Sequence, residues 1–414
     1  MAQKGKLSTE AYKGVRDFYP EDEAVQKYLF ATMRGAVEKF GYAEYHASIL
    51  EPAELYRGKT SEEIVSEQTY TFVDRGEREV TLRPEMTPTI ARMVAAKRRE
   101  LSFPLRWYSI PNVFRYERPQ RGRLREHWQL NVDLFGSASP SADAEIIAVA
   151  HAVMKAFGAS ESDFEIRIGS RAFLNALAEK AGLSSEKREQ LLRLLDRRAK
   201  ISAEEFEKGL AALGVPPEAF SAPAAPDDVR SLVAALQDLG IGNARFDAGI
   251  VRGFEYYTGT VFEVYDTRPE NNRSLFGGGR YDNLLQLFGE EPVPAAGFGM
   301  GDVTMRDFLS VRGRIPPYAP PTKAYLAVTS AELVPEAMRL AAELRAHGVN
   351  AAVDLGDRKL GDQIKNADRQ RIPYLIVVGE DELRSGEFAV RTLATRAEAT
   401  LSRTELGSFF LNLP

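Results

Sequence analysis

Apolar side chains recur every three or four positions in residues 23–40, which is the periodicity of one face of an α-helix. These positions are Val25, Leu29, Met33, Val37 and Phe40. The pattern predicts an amphipathic helix that ends at Gly41. Residues 70–72 and 80–82 instead predict two short strands around a polar turn.

The following segment predicts a helix and then an antiparallel hairpin. Thr87 and Pro88 have the order typical of an N-cap residue and the first helical position. Residues 107–116 and 127–135 are two β-type runs separated by a basic loop. In the second run apolar and polar side chains alternate, so they point to opposite faces of the sheet. The apolar set is Trp128, Leu130, Val132 and Leu134, and the polar set is His127, Gln129, Asn131 and Asp133. We expect the polar face to form a platform for a substrate.

Residues 171–243 differ in composition from the β-type segments around them. They are rich in Ala, Leu, Glu, Lys and Arg with helical periodicity, and Ser202 and Glu205 have the spacing of a capping box. We interpret them as a helical insertion within a sheet domain. Strand character returns in residues 245–265, and a run of three glycines follows at 277–279.

The domain layout follows from these changes of pattern. The predicted sheet domain consists of residues 1–170 and 244–312. Residues 313–322 contain four prolines and predict a stiff linker. Residues 323–414 alternate between strand and helix patterns, which is typical of a small α/β domain with a largely parallel core. Its predicted strands are 324–328, 351–353 and 374–378, and its predicted helices are 333–347 and 360–369.

Composition excludes several classes of protein. The 414-residue chain has a net charge of -5, no cysteine and four histidines that are far apart in the sequence. Disulfides, thiolate metal sites and thiol nucleophiles are therefore excluded, and we expect no metal site built by the protein. No apolar run reaches the roughly 18 residues that cross a bilayer, and residues 1–10 lack the apolar core of a signal peptide. We expect a cytoplasmic protein that does not associate with membranes.

The most informative chemical pattern is the basic loop between the two β-type runs. Residues 114–126 read FRYERPQRGRLRE. Arg115, at the end of a strand, offers a rigid fork for an anionic phosphate. Glu117 shares its face and can accept a hydrogen bond from an exocyclic amine. The remaining arginines could bind the phosphates of a nucleic-acid backbone. A charged hairpin tip that is simply exposed to solvent would have the same composition.

This loop and four other segments resemble the signature motifs of class II aminoacyl-tRNA synthetases, and specifically the histidyl-tRNA synthetase family. The other segments are residues 13–20 (KGVRDFYP), 81–87 (TLRPEMT), 251–258 (VRGFEYYT) and 277–282 (GGGRYD). The resemblance runs from about residue 10 to the C-terminus and is weakest in the insertion. It implies an α+β fold, with the antiparallel-sheet catalytic domain of a class II synthetase, a helical insertion and a C-terminal α/β anticodon-binding domain.

The resemblance also implies an enzyme that activates histidine with ATP and Mg²⁺ and transfers it to tRNA(His). Arg252 and Arg115 would be the catalytic cations, and Arg115, Glu117 and Arg252 would bind ATP. The implied histidine-binding set is Glu85, Thr87, Gln129, Asp133, Tyr257 and Tyr281. The implied tRNA-contacting set is Arg118, Gln120, Arg121, Arg123 and Arg125, with a further C-terminal RNA surface at Arg358, Lys359, Lys365, Asn366 and Arg369. A homodimer is implied as well, with its interface near Pro52.

Elementary chemistry agrees with these roles. Attack of a carboxylate on the α-phosphate of ATP brings two anions together, so positioning and fixed positive charge do most of the work. A neutral imidazole has one donor and one acceptor, which a carboxylate and tyrosine hydroxyls can match. The family usually has glutamate where this chain has Asp133, so the carboxylate is one methylene shorter here.

Three features leave alternatives open. In the third class II motif the family has an arginine shortly after the last glycine, but here Thr304 stands at that distance from Gly301. This departure favours a second reading, a histidine-binding synthetase-like protein such as the regulatory subunit of ATP phosphoribosyltransferase. The glycines at 277–279 fit either a pocket wall or a plain strand bend. If Tyr256 and Tyr257 are adjacent strand residues, they point to opposite faces, so one of them is a packing residue.

Overall fold

The computed structural model describes residues 7–57, 68–118, 120, 122–198, 201–221, 224–251, 256–271, 274–356 and 358–412. The chain divides into two compact units, Met1–Pro316 and Pro317–Pro414. Within the described ranges, no helix is both long enough and apolar enough to cross a membrane.

The larger unit is built on a nine-stranded, mainly antiparallel sheet. In chain order, the strands of this unit are β1 (Ala43–Glu44), β2 (Leu50–Pro52), β3 (Tyr70–Val73), β4 (Glu79–Leu82), β5 (Leu105–Ser109), β6 (Asn112–Phe114), β7 (Glu126–Phe135), β8 (Phe164–Ser170), β9 (Ala244–Phe246), β10 (Thr260–Asp266), β11 (Ser274–Arg280) and β12 (Ala295–Gly301). The order in the main sheet is β1-β5-β7-β12-β11-β10-β8-β9, with β6 also paired to β7. Only the two edge pairs, β1 with β5 and β8 with β9, are parallel. Strands β2, β4 and β3 form a separate small sheet.

Helices pack against both faces of the main sheet. Those of the larger unit are α1 (Pro20–Val37), α2 (Glu54–Arg57), α3 (Thr87–Lys97), α4 (Pro140–Ala156), α5 (Arg171–Lys180), α6 (Ser185–Asp196), α7 (Ala203–Leu213), α8 (Glu218–Ser221), α9 (Asp227–Asp238) and α10 (Asp302–Ser310). Residues of α1, α4, α9 and α10 form one hydrophobic core with the sheet, while α3 packs in a second core. Helices α5 to α8 have a core of their own and are called the helical insertion below. Helix α9 also falls within the predicted insertion at 171–243, but it packs in the core of the main sheet.

The alternation predicted in β7 is confirmed. Leu130, Val132 and Leu134 are at most 1% exposed and lie in the core with α1 and α4. Their neighbours Gln129 and Asp133 point to the opposite face, because successive side chains of a pleated strand alternate. The underside of β7 is therefore apolar, and its upper face carries polar side chains up to Asp133 and then the apolar Phe135, which packs in the second core.

The smaller unit has a five-stranded sheet with helices. Its strands are β13 (Ala324–Val328), β14 (Ala351–Val353), β15 (Tyr374–Val378), β16 (Glu387–Thr392) and β17 (Glu398–Ser402), and its helices are α11 (Val334–Ala346), α12 (Leu360–Arg369), α13 (Glu380–Ser385) and α14 (Arg403–Leu411). The three predicted strands are confirmed as a parallel group in the order β14-β13-β15. Two antiparallel strands, β16 and β17, extend the sheet beyond the sequence prediction.

Three local predictions were wrong. Residues 107–116 form two strands rather than one, since β5 ends at Ser109 and β6 begins at Asn112. A proline lies between the two strands, and it has no N–H to donate to a neighbouring strand. Among the described residues of the range 245–265, which exclude 252–255, strand structure is confined to β9 and β10 at its two ends. Thr87 is the first residue of α3 rather than its N-cap, which is Met86, with no side-chain capping hydrogen bond.

Candidate active site

A pocket opens on the polar face of the main sheet. It is lined by seven of the predicted site residues, namely Glu85, Thr87, Arg115, Gln129, Asp133, Tyr257 and Tyr281. These residues come from segments that are far apart in the chain, so the fold is what brings them together. Asn131, Tyr256, Gly277, Gly297, Phe298 and Gly299 complete the lining.

Glycines of β12 make room for the side chains of β7. A Cβ atom at Gly297 would lie 2.5 Å from Oδ1 of Asp133 and 2.6 Å from the carbonyl oxygen of Val132. A Cβ atom at Gly299 would overlap the amide of Gln129. Only glycine tolerates such close approach in the strand interior, so these two positions create the floor of the pocket.

Asp133 is the most unusual ionisable group of the pocket. Its carboxylate is buried, and its Oδ1 accepts a hydrogen bond from the hydroxyl of Tyr281. Burial raises the pKa of Asp133 to about 7, although the hydrogen bond from Tyr281 acts to lower it. Its Oδ2 is also buried and has no hydrogen-bond partner among the described residues. Because buried acceptors in native proteins are nearly always paired, this oxygen is suited to accept a hydrogen bond from a ligand.

Tyrosine rings form the wall beside Asp133. The rings of Tyr256 and Tyr257 are 4.8 Å apart at 52°, and the rings of Tyr256 and Tyr281 are 5.8 Å apart. Both Tyr256 and Tyr257 line the pocket, and neither lies in a strand, so the expectation that they point in opposite directions was wrong. A Cβ atom at Gly279 would lie 2.9 Å from the ring of Tyr257, so this glycine allows the ring to lie against β11. Tyr256 also donates a 3.3 Å hydrogen bond to Oε2 of Glu85.

The chain that leads into α3 brings Glu85 and Thr87 to the pocket. Arg83 anchors it, since its guanidinium is buried and donates to the carbonyl oxygens of Asn112 at 2.9 Å and Ala47 at 2.8 Å. Glu85 is 3% exposed. Its carboxylate and the N-terminal end of α3 therefore face the same cavity, where an ammonium group and a carboxylate of a ligand could both be held.

Arg115 supplies positive charge to the pocket. Its Nε donates a 2.9 Å hydrogen bond to the carbonyl oxygen of Pro84, which fixes the direction of the guanidinium. Burial, together with the charges of Arg115 and Arg16, lowers the pKa of the nearby His127 to about 3. His127 is therefore neutral at physiological pH. The charge of Arg115 favours an anion such as a phosphate in the pocket.

The loop after Arg115 is held by an internal arginine. The guanidinium of Arg125 lies 4.0 Å from the ring centroid of Tyr116 and donates to the carbonyl oxygen of Glu117 at 3.2 Å and to the hydroxyl of Tyr12 at 3.1 Å. Arg125 is only 9% exposed. These contacts hold the loop in its conformation, and the predicted RNA contact of Arg125 stays a prediction.

The other predicted residues of this loop are distributed differently. Arg118, Gln120 and Arg123 are exposed, and Arg123 pairs with Glu117 at 3.4 Å. Glu117 lies outside the pocket lining. Arg121 and Arg252 lie outside the described residues, so their predicted roles rest on the sequence.

The start of α10 carries the departure from the third motif. The Thr304 hydroxyl donates to the carbonyl oxygens of Leu275 at 2.9 Å and Gly301 at 3.1 Å. The next cation along the helix, Arg306, forms an ion pair with Asp22 of α1. Neither side chain belongs to the pocket lining.

In the smaller unit, the residues of the predicted RNA surface extend from just before α12 to its last residue. Arg358, Lys359, Lys365 and Arg369 are exposed. Asn366 donates to the hydroxyl of Tyr325 at 3.2 Å, and that hydroxyl donates to the buried Asp354 at 2.8 Å. This network orders the base of the cationic surface.

Known proteins of one family match the chain over nearly all of its length. The family model for histidyl-tRNA synthetase matches residues 14–221 and 202–302, and the model for an anticodon binding domain matches residues 323–413. A histidine–tRNA ligase of Leptospira biflexa is 40% identical over 97% of both chains, and one of Thermoplasma volcanium is 35% identical over 97% of this chain and 98% of the relative. The crystal structure of a histidyl-tRNA synthetase from Nostoc superposes with a TM-score of 0.82 at 22% identity, covering 98% of this chain and 99% of that one.

Proposed function

This chain belongs to the histidyl-tRNA synthetase family, and on that premise we propose that it is a histidine–tRNA ligase. In the first step, a carboxylate oxygen of histidine attacks the α-phosphorus of ATP. The bond from that phosphorus to the bridging oxygen of the β-phosphate breaks, and pyrophosphate leaves. In the second step, the terminal ribose hydroxyl of tRNA(His) loses its proton and attacks the histidyl carbonyl carbon, and AMP leaves.

The buried, unpartnered Oδ2 of Asp133 is the observation that supports this function most directly. We assign it as the acceptor for an imidazole N–H, with the hydroxyls of Tyr257 and Tyr281 completing the subsite. A pocket that relies on such hydrogen bonds rejects apolar amino acids, because they would leave buried polar groups unpaired. We propose that the shorter side chain of Asp133 can still accept this hydrogen bond. The glycines of β12 leave space beside its carboxylate for the imidazole ring to approach.

The remaining pocket residues suit the other groups of the two substrates. Glu85, Thr87 and Gln129 would hold the α-ammonium group of histidine. Arg115 would bind the α-phosphate, and Arg252 would neutralise the charge that develops on the phosphate and the attacking carboxylate. Such fixed charge lowers the barrier because it needs no reorganisation when the transition state forms. We assign Glu117 to the amine of adenine.

We propose that Mg²⁺ enters with ATP. Among the described residues, no group of three or more histidine, cysteine, aspartate or glutamate side chains is arranged to hold a metal ion. The ion would be bound by the phosphates of ATP, where it would screen the pyrophosphate.

We further propose a cytoplasmic homodimer that binds tRNA(His). Arg118, Gln120, Arg121 and Arg123 would contact the RNA near the pocket. Leu50 and Phe72 are 45% and 47% exposed on one face of the small sheet, near Pro52, which suits burial against a second copy. Light scattering on the purified chain is expected to give twice the mass of 46.0 kDa.

Histidine-dependent exchange of pyrophosphate into ATP tests the proposed function. We expect exchange with histidine and none above background with other amino acids, followed by charging of tRNA(His). Thr304, in place of the motif arginine, favours the second candidate, a histidine-binding regulatory protein. A folded sample that binds histidine without exchange would support that candidate and overturn the first.

A further inference from the structure

The segment that precedes Arg252 in the sequence is fixed to the edge of the main sheet. The N–H of Asp247 donates to the carbonyl oxygen of Ile168 in β8 at 2.9 Å. The N–H groups of Gly249 and Ile250 then donate to the side chain and the carbonyl oxygen of Asp247, at 2.9 Å and 3.1 Å. The segment is therefore a tight turn that rests on β8.

The side chains of this turn enter two different cores. Ile250 is 6% exposed and packs in the cluster that contains Tyr256, Tyr257 and Tyr281 of the pocket wall. Ala248 and Val251, 6% and 3% exposed, belong instead to the core of the helical insertion. The turn is thus held between the insertion and the wall of the active site.

An arginine of the insertion adds a further contact. The guanidinium of Arg198 lies 5.2 Å from the ring centroid of Phe206 in α7. Its Nη1 is 2.5 Å from the position that a Cβ atom of Gly249 would occupy. The guanidinium therefore lies directly on the backbone of the turn, where any side chain at residue 249 would displace it.

We infer that the helical insertion positions the catalytic segment, and that Arg198 is a positioning residue for the adenylation step. The insertion packs against the turn at residues 247–251, which directly precedes Arg252 in the sequence, so we expect a shift of this turn to move Arg252. This inference rests on the proposed function, because Arg252 is assigned there as the catalytic cation. A displacement of about 1 Å at a catalytic group can reduce turnover by as much as roughly 100-fold.

The test compares Arg198→Ala with Arg197→Ala in the full-length protein. Arg197 is a matched control, since it is 62% exposed and its 3.8 Å ion pair is with Glu205, within the insertion. For Arg198→Ala we expect kcat of histidine-dependent exchange to fall about 10-fold, with a smaller change in KM for histidine. We expect a partial return of kcat in Arg198→Lys, and wild-type kinetics in Arg197→Ala. Unchanged kcat in Arg198→Ala, in a preparation whose wild type is active, would overturn the inference.

Amide hydrogen exchange provides a second readout that does not depend on activity. We expect the peptide spanning residues 247–257 to exchange faster in Arg198→Ala than in Arg197→Ala, at the same melting temperature. Equal exchange in the two variants would overturn the inference. If the wild type gave no pyrophosphate exchange, the proposed function would fail, while the amide measurement would still decide whether the insertion holds this segment.

Discussion

Replacement of Asp133 by asparagine should stabilise the protein while it damages histidine binding. The folded-state pKa of Asp133 is about 7, against an ordinary value of 3.8. A carboxyl group whose pKa is raised by folding binds a proton more tightly in the native state than in the unfolded state. The free energy of unfolding therefore falls as pH rises from about 4 to about 7, and the loss is complete above the folded-state pKa.

The size of this loss follows from the difference between the two pKa values. Each unit corresponds to about 1.4 kcal/mol, so the ionised carboxylate costs the native state at most about 4 kcal/mol at pH 8. Asparagine carries no charge and can still accept the hydrogen bond from Tyr281. It leaves an unpaired amide N–H, however, so we expect Asp133→Asn to be more stable than wild type by about 1–3 kcal/mol at pH 8 and to have a smaller advantage, or none, at pH 5.

Urea denaturation at pH 5 and pH 8, followed by tryptophan fluorescence, measures this difference. The protein has two tryptophans, Trp107 and Trp128, and both lie in the larger unit, so the signal reports on the unit that contains Asp133. The same variant loses the acceptor for the imidazole N–H, and KM for histidine should rise roughly 10- to 100-fold. A stability difference between variant and wild type that is the same at both pH values would refute the reasoning.

Three other substitutions probe the remaining contacts. Arg252→Ala should lower kcat for pyrophosphate exchange far more than it raises KM for histidine; a parallel loss of both, together with a lower melting temperature, would make Arg252 a structural residue. Gly297→Ala should leave a folded protein with weak histidine binding by calorimetry, because its Cβ would lie 2.5 Å from Oδ1 of Asp133; wild-type affinity would contradict the described floor. Asp302→Asn should lower the free energy of unfolding by about 3 kcal/mol in urea, because it breaks a 2.8 Å ion pair with Arg16 at a buried carboxylate; a change below about 0.5 kcal/mol would contradict that role.

The alternation of apolar and polar residues made one part of the site predictable from the sequence. The alternation in β7 identified Gln129 and Asp133 as residues of a polar face, because the pleat of a strand leaves no other arrangement. The family resemblance then linked this face to Glu85, Thr87 and Arg115. Their convergence depends on pairing between distant strands, which local patterns do not encode.

The wrong predictions have local physical causes. Tyr256 and Tyr257 were predicted to point to opposite faces because they were taken as strand residues. Neither residue lies in a strand, and both line the pocket. Thr87 was predicted as an N-cap because a proline follows it, but helix α3 already begins at Thr87. Strands β16 and β17 were missed because their half-exposed positions lack a continuous apolar run. In each case tertiary contacts override the local signal.

A crystal structure of the protein with bound histidine tests the central claim most directly. The account predicts that an imidazole nitrogen lies about 3 Å from Oδ2 of Asp133, with the α-ammonium group beside Glu85. Histidine bound elsewhere, or bound in this pocket with its imidazole turned away from Asp133, would contradict it.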